Sequence, residues 1–334
     1  MPRRWEKLSN AVDELEEISI LLHDDPDPDA VAAGVGLCFL LEKVLGIGGT
    51  VGYRGVIGRA ENKALVRFLQ TPLAVLPDEF EPNGAVALID TQPGAGNSPV
   101  GADYPVTVVV DHHGDLGGDS TGFSDVRPWI GASSTIITQY FRAAEVEPPQ
   151  KIATGLFYGI KTDTKALSRD TSAADVAAYF YLLSYVDVDA VVEIENAEVP
   201  AAYFRDLSKA METALIYDGA VISYLGETGY PDLTAEIADL FLRIEGVAWV
   251  VCMGVYGQQL YLSIRARSED ADAGELANTV VGGMGSAGGR NTLAGGQIPL
   301  NGDDPEAMAA TIRRRVLDYL DLPEDTSGQP LVPQ

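Results

Sequence analysis

The sequence predicts an α/β protein built from an N-terminal doubly wound parallel sheet and a smaller C-terminal α/β domain. Its 334 residues exceed the roughly 100–200 residues of a single domain, which favours two domains. In the first half, short apolar runs without polar alternation are separated by helical patterns, as in a sheet that helices cover on both faces. Beyond residue 190 this alternation ends, and a helical segment leads into a region with a β-hairpin pattern.

The N-terminal domain is assigned to residues 1–190. It opens with an amphipathic helix pattern, after which β-branched apolar runs predict strands and segments rich in Ala, Val and Leu predict helices. Because these strands alternate with helices, we expect them to pair in parallel. The predicted strands are Ile18–Leu22, Thr50–Tyr53, Ala85–Ile89 and Val106–Val110, and the predicted helices are Asp29–Leu45, Ser133–Ala144 and Ile152–Gly159.

The remainder divides into three segments. Residues 191–215 form a charged helical connector, residues 216–322 a second domain, and residues 323–334 a polar, proline-containing tail that we expect to be frayed. The elements predicted for the second domain are a strand at Ala220–Tyr224, a helix at Leu233–Arg243, hairpin strands at Val247–Val255 and Gln259–Arg265, a Gly-rich loop at Gly282–Gly296 and a helix at Pro305–Leu320.

The chain is strongly acidic, with 23 basic against 49 acidic residues and a net charge of −26. Only 7 of the basic residues are Lys, and 16 are Arg. An acidic excess with little Lys is typical of halophilic proteins, because high salt screens self-repulsion; a merely acidic mesophilic protein is the alternative. The charge argues against a broad basic face for nucleic acid, but it leaves room for a small local phosphate site.

Cysteine usage and hydropathy favour a cytoplasmic protein. Cys38 and Cys252 lie far apart in apolar stretches and are expected to be reduced core residues. The N-terminus shows no signal-peptide pattern. No apolar run reaches the roughly 18–20 residues of a membrane helix, so we expect no membrane association.

The three histidines each follow an apolar run and stand beside aspartates. His23 comes directly after Ile18–Leu22, and His112 and His113 follow the run that ends at Val110. Asp90 occupies a comparable position after the run that ends at Ile89, and we expect Asp163, after a further apolar run, to do the same. Because the carboxyl ends of parallel strands meet in one crevice, these side chains are expected to lie close together.

A mixed shell of histidines and carboxylates suits Mn²⁺ better than a thiolate-rich zinc site. Two ions about 3.5–4 Å apart can activate water and hold both oxygens of a phosphoryl centre. Each aspartate taken alone has a simpler interpretation as a helix cap or turn residue. To replace the metal-site interpretation, however, this simpler one would have to apply to all of the aspartates at once. The candidate ligands are His23, Asp27, Asp29, Asp90, Asp111, His112 and Asp163.

Taken together, these segments resemble the four ordered motifs of the DHH phosphoesterases. The resemblance continues in the C-terminal half, where Ser263–Ser268 followed by Gly282–Gly289 is similar to the substrate-binding domain of the RecJ-like and oligoribonuclease-like branch. It covers roughly residues 15–300. The four motifs are His23-x-x-x-Asp27-x-Asp29-Ala30, the isolated Asp90, Asp111-His112-His113, and Gly159-Ile160-x-Thr162-Asp163-Thr164.

The resemblance implies two Mn²⁺ ions, with Mg²⁺ or Co²⁺ as substitutes, and a role for each motif residue. One ion would be held by His23, Asp27 and Asp90. Asp90 would bridge to the second ion, whose other ligands would be Asp29, His112 and Asp163. Asp111 would orient the His112 region, and His113 would face the substrate phosphate or help to protonate the leaving group.

The resemblance also implies substrate contacts in the C-terminal domain. A Gly-rich loop by itself is more often a flexible connection, but its free N–H groups can form an anion-binding nest. Met284 departs from the family pattern, which usually has a histidine there, and Arg290 is a candidate to replace it as a phosphate clamp. The candidate substrate-binding residues are Arg265, Gly282, Gly283, Met284, Gly288, Gly289 and Arg290.

Three functions are compatible with the sequence. The first is a Mn²⁺-dependent phosphoesterase acting on small nucleotides such as short oligonucleotides, cyclic dinucleotides or pAp. The second is an exopolyphosphatase- or pyrophosphatase-like hydrolase, and the third is a nucleotide sensor without catalysis, against which the intact ligand set argues. The family and the base rates of oligomers are compatible with a homodimer.

Overall fold

The computed structural model describes residues 2–117, 121–268, 270–322 and 327–333. The chain divides into two compact units, Met1–Ala197 and Glu198–Gln334. The connector expected at 191–215 is not a separate segment, because its start belongs to the first unit and the rest to the second.

The first unit alternates strands with helices, as expected. The sequence analysis left unassigned the helices Ala60–Leu69 and Ala173–Leu182, the strand Leu73–Val75 and the strand Thr121–Val126, whose sequence has no apolar run. In chain order the elements are α1 (Pro2–Val12), β1 (Glu17–Leu22), α2 (Pro28–Leu45), β2 (Gly48–Tyr53), α3 (Ala60–Leu69), β3 (Leu73–Val75), β4 (Val86–Ile89), β5 (Val106–Asp111), β6 (Thr121–Val126), α4 (Ser133–Ala143), α5 (Gln150–Asp163), α6 (Ala173–Leu182) and α7 (Val188–Glu195).

The sheet of the first unit has six parallel strands in the order β3-β2-β1-β4-β5-β6, which confirms the doubly wound parallel sheet. The chain first builds outward from β1 through β2 and β3, then returns to place β4 on the other side of β1. This reversal leaves a crevice at the carboxyl ends of β1 and β4, where open α/β sheets bind ligands.

Helix α2 is the central helix of this unit, and its apolar residues are buried against the sheet and against α4 and α5. Its start is defined by Asp27, whose side chain accepts a hydrogen bond from the Ala30 N–H, and by Pro28 at the first helical position. Gly46 ends it in the left-handed conformation (φ 71°). The cap therefore places Asp27 and Asp29 directly beside the carboxyl end of β1.

The second unit is an α/β domain around a seven-stranded mixed sheet in the order β11-β12-β10-β9-β8-β7-β13. The predicted hairpin is present as antiparallel β9 and β10, and β8 pairs with β9 in parallel. The elements are α8 (Ala201–Thr213), β7 (Leu215–Tyr217), β8 (Ala220–Glu227), α9 (Leu233–Phe241), β9 (Trp249–Tyr256), β10 (Gln259–Ala266), α10 (Ala273–Val281), β11 (Ser286–Gly289), β12 (Leu293–Pro299), α11 (Pro305–Tyr319) and β13 (Gln329–Pro330).

Two expectations for this unit were wrong. The Gly-rich stretch at 282–296 is not a loop, because β11 and β12 pair antiparallel within it. The tail is not frayed throughout its described part, because β13 pairs with β7 and Leu331 packs against the apolar cluster beneath α9. Residues 323–326 and 334 of that tail lie outside the described residues.

Cys38 and Cys252 are both free thiols, with Cys252 buried and Cys38 half-buried. Among the described residues, none of the helices has the length and apolar character needed to cross a membrane.

Candidate metal centre

The register of the parallel strands brings three motif residues side by side. Leu22 pairs with Ile89 across β1 and β4, and Ile89 pairs with Val110 across β4 and β5. The next residue of each strand is therefore a neighbour of the others at the same edge of the sheet. These residues are His23, Asp90 and Asp111.

Asp90 lies between two histidines and presents one carboxylate oxygen to each. Its Oδ2 lies 3.6 Å from Nε2 of His23, and its Oδ1 lies 3.4 Å from Nε2 of His112. Ser133 Oγ donates to Oδ1 over 2.8 Å, which fixes the carboxylate. The backbone of Asp90 is left-handed (φ 62°), a strained conformation that lets the side chain turn back over the strand ends.

Both histidines hold their Nε2 atoms toward Asp90 for the same reason. Nδ1 of His23 lies 2.7 Å from the carbonyl oxygen of Asp24, and Nδ1 of His112 lies 3.2 Å from that of Ile130. A carbonyl oxygen only accepts, so Nδ1 carries the proton in each ring. Nε2 is then the nitrogen that a metal ion would take, as in metal sites where a second hydrogen bond orients the ring.

The two aspartates of the first motif differ in their surroundings. The side chain of Asp27 is 40% exposed, and its Oδ1 lies 3.9 Å from Nε2 of His23. Asp29 is fully buried, and its two oxygens accept hydrogen bonds from the N–H groups of Ser133 (2.6 Å) and Ser134 (2.8 Å) at the start of α4. Asp29 thus caps a helix that has no capping side chain of its own.

From the sequence, Asp163 was expected at a strand end. It lies instead on the last turn of α5. Its Oδ2 lies 3.3 Å from Nε2 of His112. One turn earlier, Gly159 allows α5 to approach the start of α2, because a Cβ there would lie 2.9 Å from Oδ1 of Asp29 and 2.5 Å from Oγ of Ser134. The glycine of the fourth motif therefore brings its aspartate within reach of the centre.

Asp111 supports the two histidines that follow it. Its Oδ1 accepts hydrogen bonds from the N–H groups of His112 and His113 and lies 2.8 Å from Nδ1 of His113. Its Oδ2 accepts from Nε2 of Gln92 at 2.7 Å. Burial would raise the pKa of Asp111, but the interactions with His113 and Gln92 lower it to about 2. The side chain of His113 is 48% exposed and faces the open side of the centre.

Three groups of donor atoms in the described chain are compact enough to hold a cation. In each group the ligand atoms lie within 4.8 Å of one another. Two of the groups share Asp90 and two share His112, so the groups form one continuous centre. They are His23, Asp27 and Asp90; Asp90, His112 and His113; and Asp29, His112 and Asp163.

The electrostatics of the centre are those of a cation site. Burial on its own would lower the pKa of His23, but the carboxylates of Asp27 and Asp90 raise it to about 10. Burial also lowers the pKa of His112, and Asp163 and Asp90 raise it to about 10. Carboxylates crowded around two histidines favour positive charge between them. Imidazole nitrogen and carboxylate oxygen are also the donors that suit Mn²⁺ and similar divalent ions, so the residues present fit such ions.

Two supporting residues were missed by the sequence analysis as parts of the centre. Ser133 was predicted only as the first residue of a helix, yet its hydroxyl donates to Asp90. Gln92, two residues after Asp90, holds Asp111 and also donates to the carbonyl oxygen of Gly114. The only available signal was their position beside motif residues, which does not distinguish a supporting side chain from a turn residue.

The predicted substrate residues of the second unit do not form a comparable cluster. Arg265 is 8% exposed; its Nε donates to Oδ1 of Asp239 at 2.8 Å and its Nη1 to the carbonyl oxygen of Ile264. This pairing argues against a freely available phosphate clamp. Met284 is half-buried and packs against the apolar core of its unit. Arg290 lies in the turn between β11 and β12, where its N–H donates to the carbonyl oxygen of Leu293.

The predicted glycines of this region have separate structural roles. Gly282 ends α10 in the left-handed conformation (φ 41°), and Gly283 continues the turn (φ 78°). Gly288 and Gly289 lie on the edge strand β11, and a Cβ at Gly289 would come within 2.3 Å of the Leu293 carbonyl oxygen. Close backbone approach thus explains Gly289 without a ligand.

Comparison with known proteins identifies the family. Residues 218–317 match the model of the DHHA1 domain. An uncharacterised protein of Methanocaldococcus jannaschii, MJ1633, is 32% identical over 336 residues, which cover 97% of this chain and 68% of that protein. This chain belongs to the DHH family of phosphoesterases. As a family member it is a hydrolase that depends on a divalent metal ion.

Two further comparisons agree with this assignment. An exopolyphosphatase-related protein from Bacteroides fragilis has the same fold, with a TM-score of 0.76 at 15% identity over 96% of this chain and 97% of that one. A probable manganese-dependent inorganic pyrophosphatase of Lactiplantibacillus plantarum is 30% identical over 171 residues, 50% of this chain and 54% of that protein. The DHH fold and its metal dependence therefore agree with the centre described above.

Proposed function

We propose that this DHH phosphoesterase uses two Mn²⁺ ions to hydrolyse phosphoester bonds of small nucleotides such as short oligonucleotides, cyclic dinucleotides or pAp. The observation that carries the proposal is the position of Asp90, whose two oxygens face the Nε2 atoms of two different histidines. A carboxylate whose two oxygens face different histidines suits a bridge between two ions. In a site for one ion, the Nε2 atoms of both histidines would instead point at that one ion.

Each half of the centre has its own ligand set. His23 and Asp27 would hold one ion, and Asp29, His112 and Asp163 the other, with Asp90 shared. Asp29 already accepts two N–H hydrogen bonds, but each carboxylate oxygen has a second lone pair. When bound, the two ions would supply Lewis-acid activation of the phosphoryl group and of the attacking water.

The protein's own groups orient the reactants and move the proton. His113 is the exposed member of the centre and, held by Asp111, is positioned to protonate the leaving oxygen. Gln92 and the N–H groups of residues 112 and 113 hold Asp111. The strained backbone at Asp90 is maintained by the hydrogen bond from its N–H to the Val110 carbonyl oxygen.

The second unit favours nucleotides over inorganic substrates. It matches the DHHA1 domain, which resembles the nucleotide-type domain of the RecJ-like branch rather than the Lys- and Arg-bearing domain of family pyrophosphatases. Edge strand β11 leaves one side of its backbone without a partner strand among the described residues. Such an edge, rich in glycine, offers N–H groups to a ligand that approaches closely.

Hydrolysis of a phosphoanhydride is the second candidate. The Lactiplantibacillus relative is named as a pyrophosphatase and the Bacteroides structure as exopolyphosphatase-related. The same metal centre has the chemistry for either bond, so the substrate and not the mechanism separates the two candidates.

A substrate panel in Mn²⁺ tests the proposal. Turnover of pAp, c-di-AMP, pApA, short RNA, short DNA, pyrophosphate and polyphosphate would be measured at low and high salt, with EDTA as the metal-free control. We expect kcat/KM for at least one nucleotide to exceed that for pyrophosphate and polyphosphate by tenfold or more. A preference for pyrophosphate or polyphosphate would establish the second candidate, and tight nucleotide binding without turnover would indicate a sensor.

A further inference from the structure

The first unit contains a cavity whose described lining residues include none of the metal-centre residues. Its volume is about 730 Å³, and it lies between helix α1 and the edge strand β6. We call it the α1 pocket. Its described lining consists of Arg3, Arg4, Lys7, Asn10 and Ala11 from the helix and Gly122, Phe123 and Ser124 from the strand.

The charge of the α1 pocket is opposite to that of the chain. Among the described residues, its lining includes three basic side chains and no carboxylate, although the protein has 49 acidic against 23 basic residues. Arg3 and Lys7 are exposed and one helical turn apart, so they lie on the same side of α1. Glu6 lies between them in sequence but not in the lining. Two like charges held together in this way favour binding of an anion.

The wall of the α1 pocket is fixed by a buried network. Asp125 is fully buried and accepts hydrogen bonds from Arg4, from Arg127 and from the hydroxyl of Tyr140. Arg4 and Arg127 both pair with Asp125, and the Arg4 contact holds α1 against β6. Arg3 and Lys7 are then the basic side chains of the lining that face a ligand. The N–H of Arg127 then donates to the carbonyl oxygen of Asp111 over 2.9 Å, so β6 leads directly to the metal centre.

The register of β5 and β6 gives the separation between the two sites along the strand. Asp111 pairs with Val126, and the pocket residues Ser124 and Gly122 lie two and four residues before Val126. At about 3.3 Å per residue this is roughly 7–13 Å. A stacked single strand advances about 3.4 Å per nucleotide, so two to four nucleotides cover the distance.

We propose that the α1 pocket binds backbone phosphates of an oligonucleotide substrate, two to four nucleotides from the phosphate that is hydrolysed. The inference rests on the proposed nucleotide function and adds a length preference to it. Among the described lining residues the only aromatic side chain, Phe123, is buried, so this part of the pocket offers charges and no exposed stacking surface. Binding is then independent of base sequence and sensitive to salt.

The test compares the unmodified chain with the double variant R3A/K7A. The matched control is R205A/K209A, which removes an exposed basic pair with the same spacing on α8 of the second unit. KM in Mn²⁺ is measured for oligothymidylates of two and six nucleotides at several salt concentrations. Binding of a fluorescein-labelled hexanucleotide is measured by anisotropy in EDTA, where no hydrolysis occurs.

In R3A/K7A we expect KM and Kd for the hexanucleotide to rise about tenfold, and KM for the dinucleotide to change less than twofold, with kcat unchanged. The slope of log K against log salt should fall by about 1.4 for the two lost phosphate contacts. R3K/K7R, which keeps both charges, should behave as the unmodified protein. Equal effects on both lengths, or effects no larger than in the control, would overturn the inference. If the enzyme hydrolyses no nucleotide, the proposed function fails, and anisotropy still decides whether the pocket binds the strand.

Discussion

The two units differ in how they arrange the residues that the sequence predicts to be functional: the first unit brings them together, and the second keeps them apart. In the first unit, motif residues meet at the carboxyl end of the parallel sheet because β1, β4 and β5 all end there, and the last turn of α5 adds Asp163. In the mixed sheet of the second unit, the marked residues stay apart. Arg265 is buried on an inner strand beside Asp239, while Gly288 and Gly289 lie on the edge strand.

The difference shows what can be inferred from a polar residue at a strand end and what can be inferred from a glycine. A polar residue at the end of a parallel strand has a defined position, because all such ends share one edge. A glycine reports close backbone approach or an unusual φ, and both occur without a ligand. A Cβ at Gly285, for example, would lie 2.0 Å from the Gln297 carbonyl oxygen. Strand-end residues therefore locate a site more reliably than glycines do.

Asp90→Asn tests the first half of this comparison and should have the largest effect. Asn tolerates the left-handed backbone of this position, so the variant is expected to fold, whereas it loses the negative charge between the two histidines. We expect kcat to fall roughly a thousand-fold, about 4 kcal/mol. Bound Mn²⁺, measured by calorimetric titration, should fall below two per chain.

The matched control for this variant is Asp218→Asn, an aspartate that also has a positive φ (29°) but lies in the turn between β7 and β8. It should keep its metal content and activity. An Asp90→Asn protein that still binds two Mn²⁺ and turns over at the normal rate would contradict the bridging role, and with it the convergence of strand ends on one centre.

Arg265→Ala tests the second half. Because Arg265 is buried and Asp239 is 38% exposed, loss of their pairing should lower the free energy of unfolding by about 1–3 kcal/mol. Urea denaturation checks this, with exposed Arg205→Ala as the control and Asp239→Ala as the partner variant of a double-mutant cycle. An unchanged denaturation midpoint with a higher KM for every phosphate substrate would instead make Arg265 a substrate residue.

Met284→His should have the smallest effect. Met284 packs partly on the core of the second unit, and a thioether does not donate hydrogen bonds. A histidine there would add a donor of the kind that the family usually has. We expect KM for a nucleotide substrate to fall by up to about tenfold, while metal content stays the same. The same KM across the whole substrate panel would show that this position does not contact the substrate.

The sequence alone was sufficient for the doubly wound sheet and for the clustering of most of the histidines and aspartates at the candidate metal centre. Apolar runs such as Val106–Val110 report burial on both faces, and that burial requires helices on both sides of the sheet. The position of His23 and Asp90 directly after such runs then placed both at one edge. The strand β6 was missed because its sequence, TGFSDV, contains too few apolar residues.

What the sequence did not determine depends on contacts between distant segments. That Asp29 caps α4, more than 100 residues away, follows from the packing of α2 against α4. That Arg265 pairs with Asp239 follows from the position of α9 over β10. The local hydrophobic pattern of a sequence indicates the period of a helix or strand and which of its faces is buried, since both depend on residues that are close in sequence. A buried polar group must find a hydrogen-bond partner wherever the chain crossings bring one, and those partners are decided only by the tertiary structure.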